Sequence, residues 1–333
     1  MNWKTFVSNS LPKPKSAPQQ GELDARVYVE KSSLIALKNS TKGFSFLPSN
    51  SRTTILSGRH YSKVRGRGLN FEELRHYQEG DEVKSIDWNV TLRTGKPHVR
   101  VFSEEKERQV LVCVDQRQSM FFGSQAVMKS VVAAQVAALC IWRVLQDGDR
   151  IGGMVFSEHH REVFKARRDA RSAIHFIDKI CEANHALKSG QATSEDNTLV
   201  AALEEMTRLK LHNSTLILIS DWLGFDQKTE QLIRYLQRKN ELILVHISDP
   251  LERDLQDIDN LVASDGEYQL HIKKQSMSHS HKAFIHAFSQ EHLEMKEQLA
   301  QTVRTQTTPV INLATSGDEI THFKSAFNLR ANS

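Results

Sequence analysis

Three aspartates share one setting. Asp115 closes the run VLVCV, Asp221 follows TLILIS, and Asp249 follows LILVHIS. A carboxylate at the end of such a run sits at the rim of a buried strand, where it either caps the next turn or serves a ligand. For Asp249, followed by Pro250, the cap is the simpler reading; for Asp115 and Asp221 both readings stand. Thr198 opens a helical stretch feeding the same rim. A second constellation, GSQAVMKS from Gly123 to Ser130, matches a phosphate loop at every fixed position except Met128, where the second glycine belongs. A bulky side chain there obstructs the wrap of backbone N–H groups around phosphate, so Lys129 is read as a helix-start residue and nucleotide hydrolysis as the weaker alternative. His279, His281, His286 and His292 lack metal-ligand spacing and read as solvated. No G-x-S-x-G elbow is present, and Cys113, Cys140 and Cys181 read as reduced packing residues.

The elements that must position these residues follow a regular alternation. Val110–Val114, Thr215–Ser220 and Leu242–Ser248 are continuous apolar runs, the mark of strands buried on both faces. Helices are expected over Ser124–Gln146, with a stop at Asp147-Gly148, and over Asp169–Ala186, Thr198–Lys210, Gln227–Lys239, Lys282–Val303 and Asp318–Phe327. Arg150–Phe156 and Glu162–Ala166 read as a hairpin, His98–Phe102 and Val310–Leu313 as strands, and Val27–Leu37 as a short helix. Apolar runs ending in acids and separated by helices predict an α/β fold, a doubly wound and mostly parallel sheet with an N-terminal charged arm.

Net charge is +4, from 44 basic and 40 acidic residues, too balanced to imply a polyanion partner. The longest apolar segment, Val131–Val144, is interrupted by Gln135 and Arg143 and falls short of the roughly 20 residues of a membrane span. No apolar signal core opens the chain, so the cytoplasm is the expected setting. Three segments are expected: 1–57, partly loose with a Pro/Lys/Ser/Gln-rich start; a charged arm, 58–108; and the sheet domain, 109–330. The arm carries 11 Lys/Arg against 9 Asp/Glu, with Phe71, Leu74, Tyr77 and Trp88 available to pack, which fits a folded unit laced by ion pairs. Its first cations, Arg59, Lys63, Arg65 and Arg67, form a basic edge whose aromatic residues are not interleaved in a single-strand-binding pattern, so nucleic-acid binding is the minor alternative.

GRGLNFEELRHYQEGDEVKSIDW followed by VLVCVDQRQSMFFG resembles the bacterial family called domain of unknown function 58. The matching positions are Gly66, Arg67, Gly68, Phe71, Glu73, Leu74, Arg75, Tyr77, Gly80, Asp81, Ile86, Asp87 and Trp88. HISDPLE from His246 and SDGE from Ser264 resemble further family blocks, so the likeness runs from about Gly58 to Glu267. The resemblance implies a von Willebrand factor A-like domain behind a family-specific arm, whose interaction residues would be Arg67, Glu73, Arg75, Tyr77, Asp81, Asp87 and Trp88. It also implies a metal-ion-dependent adhesion site at Asp115, Ser119, Thr198 and Asp221, where Mg²⁺ would take hard oxygen ligands. Arg117 stands where that pattern asks for a serine. A guanidinium about 5 Å from a divalent ion, at an effective dielectric near 20, repels it by roughly 6 to 7 kcal/mol. The expected site is therefore degenerate, with Arg117 either turned to solvent or paired with Asp115 or Asp221, the paired guanidinium then being able to receive a partner's carboxylate bidentately, without metal. Members of the family typically occur beside MoxR-type AAA+ ATPases, so the resemblance implies a non-enzymatic adaptor working with such an ATPase in the assembly or activation of other complexes.

Overall fold

The computed structural model describes residues 24–42, 44, 54–56, 69–104, 108–188, 197–253, 260–264, 269–273, 290, 293–302 and 309–331. Outside them lie the Pro-rich start, the basic edge with Arg67, and the four histidines from His279 to His292. The chain divides into two compact units, residues 1–44 with 108–326, and 45–107 with 327–333. Of the expected N-terminal segment, residues 24–42 and 44 thus belong with the sheet and 54–56 with the arm.

In the arm unit, β1 (Thr54–Leu56), β2 (Leu69–His76) and β3 (His98–Glu104) form an antiparallel sheet in the order β1-β3-β2. A short helix, Trp88–Thr94, is capped by Asp87, whose Oδ1 accepts the Asn89 and Val90 N–H groups, and ends at Gly95 in the left-handed region. Opposite charges tie the unit together: Arg75 meets Asp81 at 2.7 Å and Arg100 meets Asp87 at 2.7 Å. Trp88 and Leu92, four residues apart and so on one helix face, are 59% and 82% exposed.

The larger unit is built on six strands: β4 (Gln109–Asp115), β5 (Arg150–Phe156), β6 (Arg161–Arg167), β7 (Ser214–Ser220), β8 (Glu241–Ser248) and β11 (Val310–Ala314). Their order is β11-β8-β7-β4-β5-β6, parallel except for β6, which pairs antiparallel with β5. β9 (Asn260–Ser264) and β10 (Gln269–Lys273) form a separate hairpin. Counted in chain order the six strands lie 3-2-1-4-5-6, the doubly wound pattern that the buried apolar runs predict. Side chains alternate along β4. Leu111 and Cys113 enter a core with Leu199, Leu203, Ile233 and Leu236, while Val110, Val112 and Val114 are buried on the opposite side. A helix over Lys129–Gln146 packs on β4, β5, β7 and β8 and is buried along most of its length. Beside β4, the sheet admits no side chain at Gly153, where a Cβ would lie 1.9 Å from the Val112 carbonyl oxygen.

Two expectations are corrected in this unit. The helix expected from Ser124 begins at Lys129, because the preceding backbone donors are taken elsewhere: Ser124 N–H by Asp249, Ala126 N–H by the Thr315 carbonyl, and Met128 N–H by the Arg26 carbonyl. The helix expected over Val27–Leu37 is confined to Lys31–Ala36, continued by a 3-10 turn to Ser40. Its flanks instead form a strap. Tyr28 Oη donates to the Leu187 carbonyl, Val29 N–H to Asn184 Oδ1, and Thr41 Oγ1 to Gln146 Oε1, while Trp142 Nε1 donates to the Leu34 carbonyl. Of the long helix expected over Lys282–Val303, the described residues show 293–302.

Candidate functional site

β4 and β7 are neighbours whose onward connections run to opposite sides of the sheet, so the crevice beyond their carboxyl ends is the topological switch point. Asp115 and Asp221 are brought together there, both fully buried. Between them lies Arg117. Its Nε donates to both Asp115 oxygens at 3.1 and 3.0 Å, and its Nη2 to Asp115 Oδ2 at 2.8 Å and Asp221 Oδ1 at 3.3 Å. Nη1 donates to the Leu223 carbonyl at 3.0 Å, and the residue is only 7% exposed. Of the roles foreseen for Arg117, the geometry fits the one that replaces a metal. A turn to solvent does not occur, and with every nitrogen engaged inside the protein, a two-pronged grip on a partner's carboxylate is not available.

A second cation completes the cluster. Lys129 Nζ donates to Asp221 Oδ2 at 2.9 Å and Glu252 Oε1 at 2.6 Å, and is likewise buried. A lysine at a helix N-terminus opposes the helix dipole, and only the facing carboxylates make it tolerable there. Its ammonium is directed inward rather than toward a phosphate-binding loop. Ser220 Oγ donates to Asp115 Oδ2 at 2.7 Å, and Asp249 ties the Ser124 and Thr315 loops while accepting from Leu251 N–H. The cap reading of Asp249 is therefore only part of its role.

Electrostatics follow from this packing. Burial alone would raise Asp221, but Lys129 and Arg117 hold it well below the usual carboxylate range. Burial pushes Asp115 up, with Arg117 opposing the rise and the Asp221 charge adding to it. For Arg117 and Lys129 burial works against the charged form, and the carboxylates around them more than offset it, so both stay protonated. Nearby on β8, burial lowers the His246 imidazole to about 4. Its Nδ1 lies 3.0 Å from Asn312 Oδ1 and its Nε2 is buried without a hydrogen-bond partner.

The two remaining expected ligands are hydroxyls. Ser119 Oγ is buried without a hydrogen-bond partner, and Thr198 Oγ1 donates to Glu158 Oε2 at 3.4 Å. An orphaned hydroxyl suits a metal, but the two carboxylates that would neutralise the ion already hold a guanidinium and an ammonium at bonding distance. The residues do not fit Mg²⁺. Among the described residues no group of three or more His, Cys, Asp or Glu side chains is placed to hold a metal ion.

Of the expected arm residues, Arg75 and Asp81 pair with each other, and hydrogen bonding to Arg75 holds the Asp81 carboxyl low. Asp87 caps its helix and is likewise held low by Arg100. Glu73 and Trp88 are exposed and Tyr77 is half-buried.

The family model described as "Protein of unknown function DUF58" matches residues 73–296, two thirds of the chain. The chain belongs to the DUF58 family. Relatives of this DUF58 protein include the uncharacterized proteins Rv1480 of Mycobacterium tuberculosis and Mb1516 of Mycobacterium bovis, each 25% identical over 264 residues, covering 79% of this chain and 80% of the relative. Among solved structures the DUF58 chain is similar to the VWA domain of SpRpn10, with a TM-score of 0.37 and 10% identity over 65% of this chain and 92% of that one. It is also similar to a mutant of the PilB minor pilin from Streptococcus sanguinis, with a TM-score of 0.28 and 9% identity over 72% of this chain and 59% of that one. No described helix of the DUF58 chain is long and apolar enough to cross a membrane.

Proposed function

We propose that this chain is a non-enzymatic, metal-independent adaptor, acting in the cytoplasm with a MoxR-type AAA+ ATPase in the assembly or activation of other protein complexes. One observation carries the metal-independent part: Arg117 and Lys129 sit within bonding distance of both strand-end carboxylates, at 2.8 and 2.9 Å. Side-chain cations of this kind preorganise the loops after β4, β7 and β8 without an exchangeable ion, so partner binding would depend on the shape of the edge rather than on metal supply. The arm supplies a second contact surface through Trp88, an aromatic side chain of the type that anchors protein interfaces, with the aliphatic Leu92 exposed on the same helix face.

The test is affinity capture of the full chain from native cells with mass spectrometry, beside calorimetric titration with Mg²⁺ and Mn²⁺. An AAA+ ATPase enriched by wild type and depleted by Trp88→Ala/Leu92→Ala, with no saturable heat from either metal, is the expected result. Tight metal binding by wild type would overturn metal independence. Recovery of nucleic acid instead, with affinity falling steeply as salt rises, would replace the adaptor with a polyanion binder.

A further inference from the structure

Two histidines stand face to face at one end of the arm sheet. His76 ends β2 and His98 opens β3, and the two are direct partners in the antiparallel ladder. Residues paired in this way send their side chains to the same face of a sheet. The two rings lie 4.4 Å apart, centre to centre, with their planes tilted by 43°. His76 is exposed and His98 half-buried, so solvent reaches the pair. Arg100, two residues on along the same face of β3, is already paired with Asp87 at 2.7 Å, which limits the repulsion an incoming cation meets.

The surroundings of His98 assign its proton. Nδ1 lies 2.7 Å from the Lys96 carbonyl, which can only accept, so Nδ1 carries the hydrogen and donates it. In the neutral ring this leaves the lone pair on Nε2. A backbone carbonyl that takes the other N–H is the arrangement that orients metal-ligating histidines and raises their basicity. The backbone on both sides is fixed as well. Gly95, in the left-handed region, turns the chain out of the Trp88–Thr94 helix toward Lys96, and the His98 N–H donates to Thr91 Oγ1 at 3.1 Å. Across the ladder, the His76 carbonyl accepts from Arg75 Nη1 at 3.1 Å, and Asp81 anchors that arginine.

The spacing of the rings selects the ion. With metal–nitrogen bonds of about 2.0–2.1 Å, an ion sits about 3.2 Å from each ring centre. Centres 4.4 Å apart then subtend about 90° at the ion. That is the cis angle of square-planar and octahedral sites, whereas a tetrahedral ion would hold the centres about 5.2 Å apart. We propose that His76 and His98 form a two-imidazole site in the arm for a divalent transition metal of the Ni²⁺ or Cu²⁺ kind, with His98 Nε2 as one ligand and water in the open positions. The site does not depend on the adaptor reading. The metal independence proposed there concerns Mg²⁺ and Mn²⁺ at the sheet edge, ions that imidazole ligands hold weakly.

The test is calorimetric titration of the untagged full-length protein with NiCl₂. Wild type should show a Ni²⁺ site that His76→Gln and His98→Gln each weaken at least tenfold. Loaded with Cu²⁺, wild type should show one more coordinating nitrogen in its EPR spectrum than either variant. A smaller change in a folded variant overturns the proposal, and tighter binding of Zn²⁺ than of Ni²⁺ overturns the cis geometry. Should His98→Gln fail to fold, His76→Gln, which alters an exposed side chain, carries the test. Ring ¹⁵N shifts of the metal-free wild type add a readout that a merely structural pair would not require. They should place the His98 proton on Nδ1, and a proton on Nε2 counts against the site.

Discussion

Both units of this protein use Arg–Asp pairs of nearly the same length, 2.7 Å for Arg100–Asp87 in the arm and 2.8 Å for Arg117–Asp115 at the sheet edge. Their surroundings differ. The Arg100 side chain is 49% exposed and the Arg117 side chain 8%. In the arm, water reaches the Arg100 side of the pair, and Asp87, itself buried, keeps the Asn89 and Val90 N–H groups as partners if Arg100 is lost. At the sheet edge, two cations and three carboxylates are dehydrated together, and removing any one strands a charge in a medium that cannot solvate it. Contact distance therefore says little about what a pair is worth; the fate of the partner left behind decides it.

The largest effect separating the regions is expected from Lys129→Met, which takes the ammonium away from buried Glu252 and Asp221 and leaves Arg117 as the cation at Asp221. Urea unfolding should show a loss of about 3–5 kcal/mol, and Lys129→Met/Glu252→Gln should recover part of it. An effect below about 1 kcal/mol would mean that water enters the cluster and that the two regions do not differ in kind.

Next in size is a pH effect from His246. Its folded pKa, about 4, lies below the ordinary value of 6.5, so between these the unfolded chain binds the proton that the folded chain refuses. Stability from this residue is complete above pH 6.5 and is lost as pH falls toward 4, by about 3 kcal/mol. His246→Gln should flatten that part of the stability curve.

Arg117→Ser tests whether the guanidinium is what keeps metal out. In this variant, Mg²⁺ at a hundredfold excess over its Kd should add about 2.7 kcal/mol to stability, with no effect in wild type. Identical Mg²⁺ responses would remove Arg117 from the explanation and leave Lys129 as the remaining cation to test. The smallest effect belongs to the arm. Arg75→Ala, breaking the pair with Asp81, should cost at most about 1 kcal/mol, and 1 M salt should erase it while leaving the Lys129→Met penalty nearly intact.

The doubly wound sheet was legible because burial on both faces writes itself locally, as in VLVCV and TLILIS, and so was the convergence of Asp115 with Asp221. Arg117 was legible as an exception to a pattern, although its pairing with both acids depends on a residue 104 positions away. Lys129 and Glu252 were not read as part of the site, since Lys129 meets Asp221 and Glu252 across 92 and 123 residues. One local signal did exist. Lys129 begins KSVVAAQVAALC, a segment too apolar to face water, and a cation entering such a helix requires buried acids to meet it.

The strap over residues 24–42 has a consequence for the order of synthesis. Tyr28 and Val29 are made early, yet their hydrogen-bond partners, Leu187 and Asn184, lie 159 and 155 residues later in the chain. At about 5–20 residues per second, these two contacts wait roughly 8 to 30 seconds after translation before their partners exist. The whole arm is synthesised in that interval, so it is free to fold first, and the strap is among the last pieces of the sheet unit to be fastened.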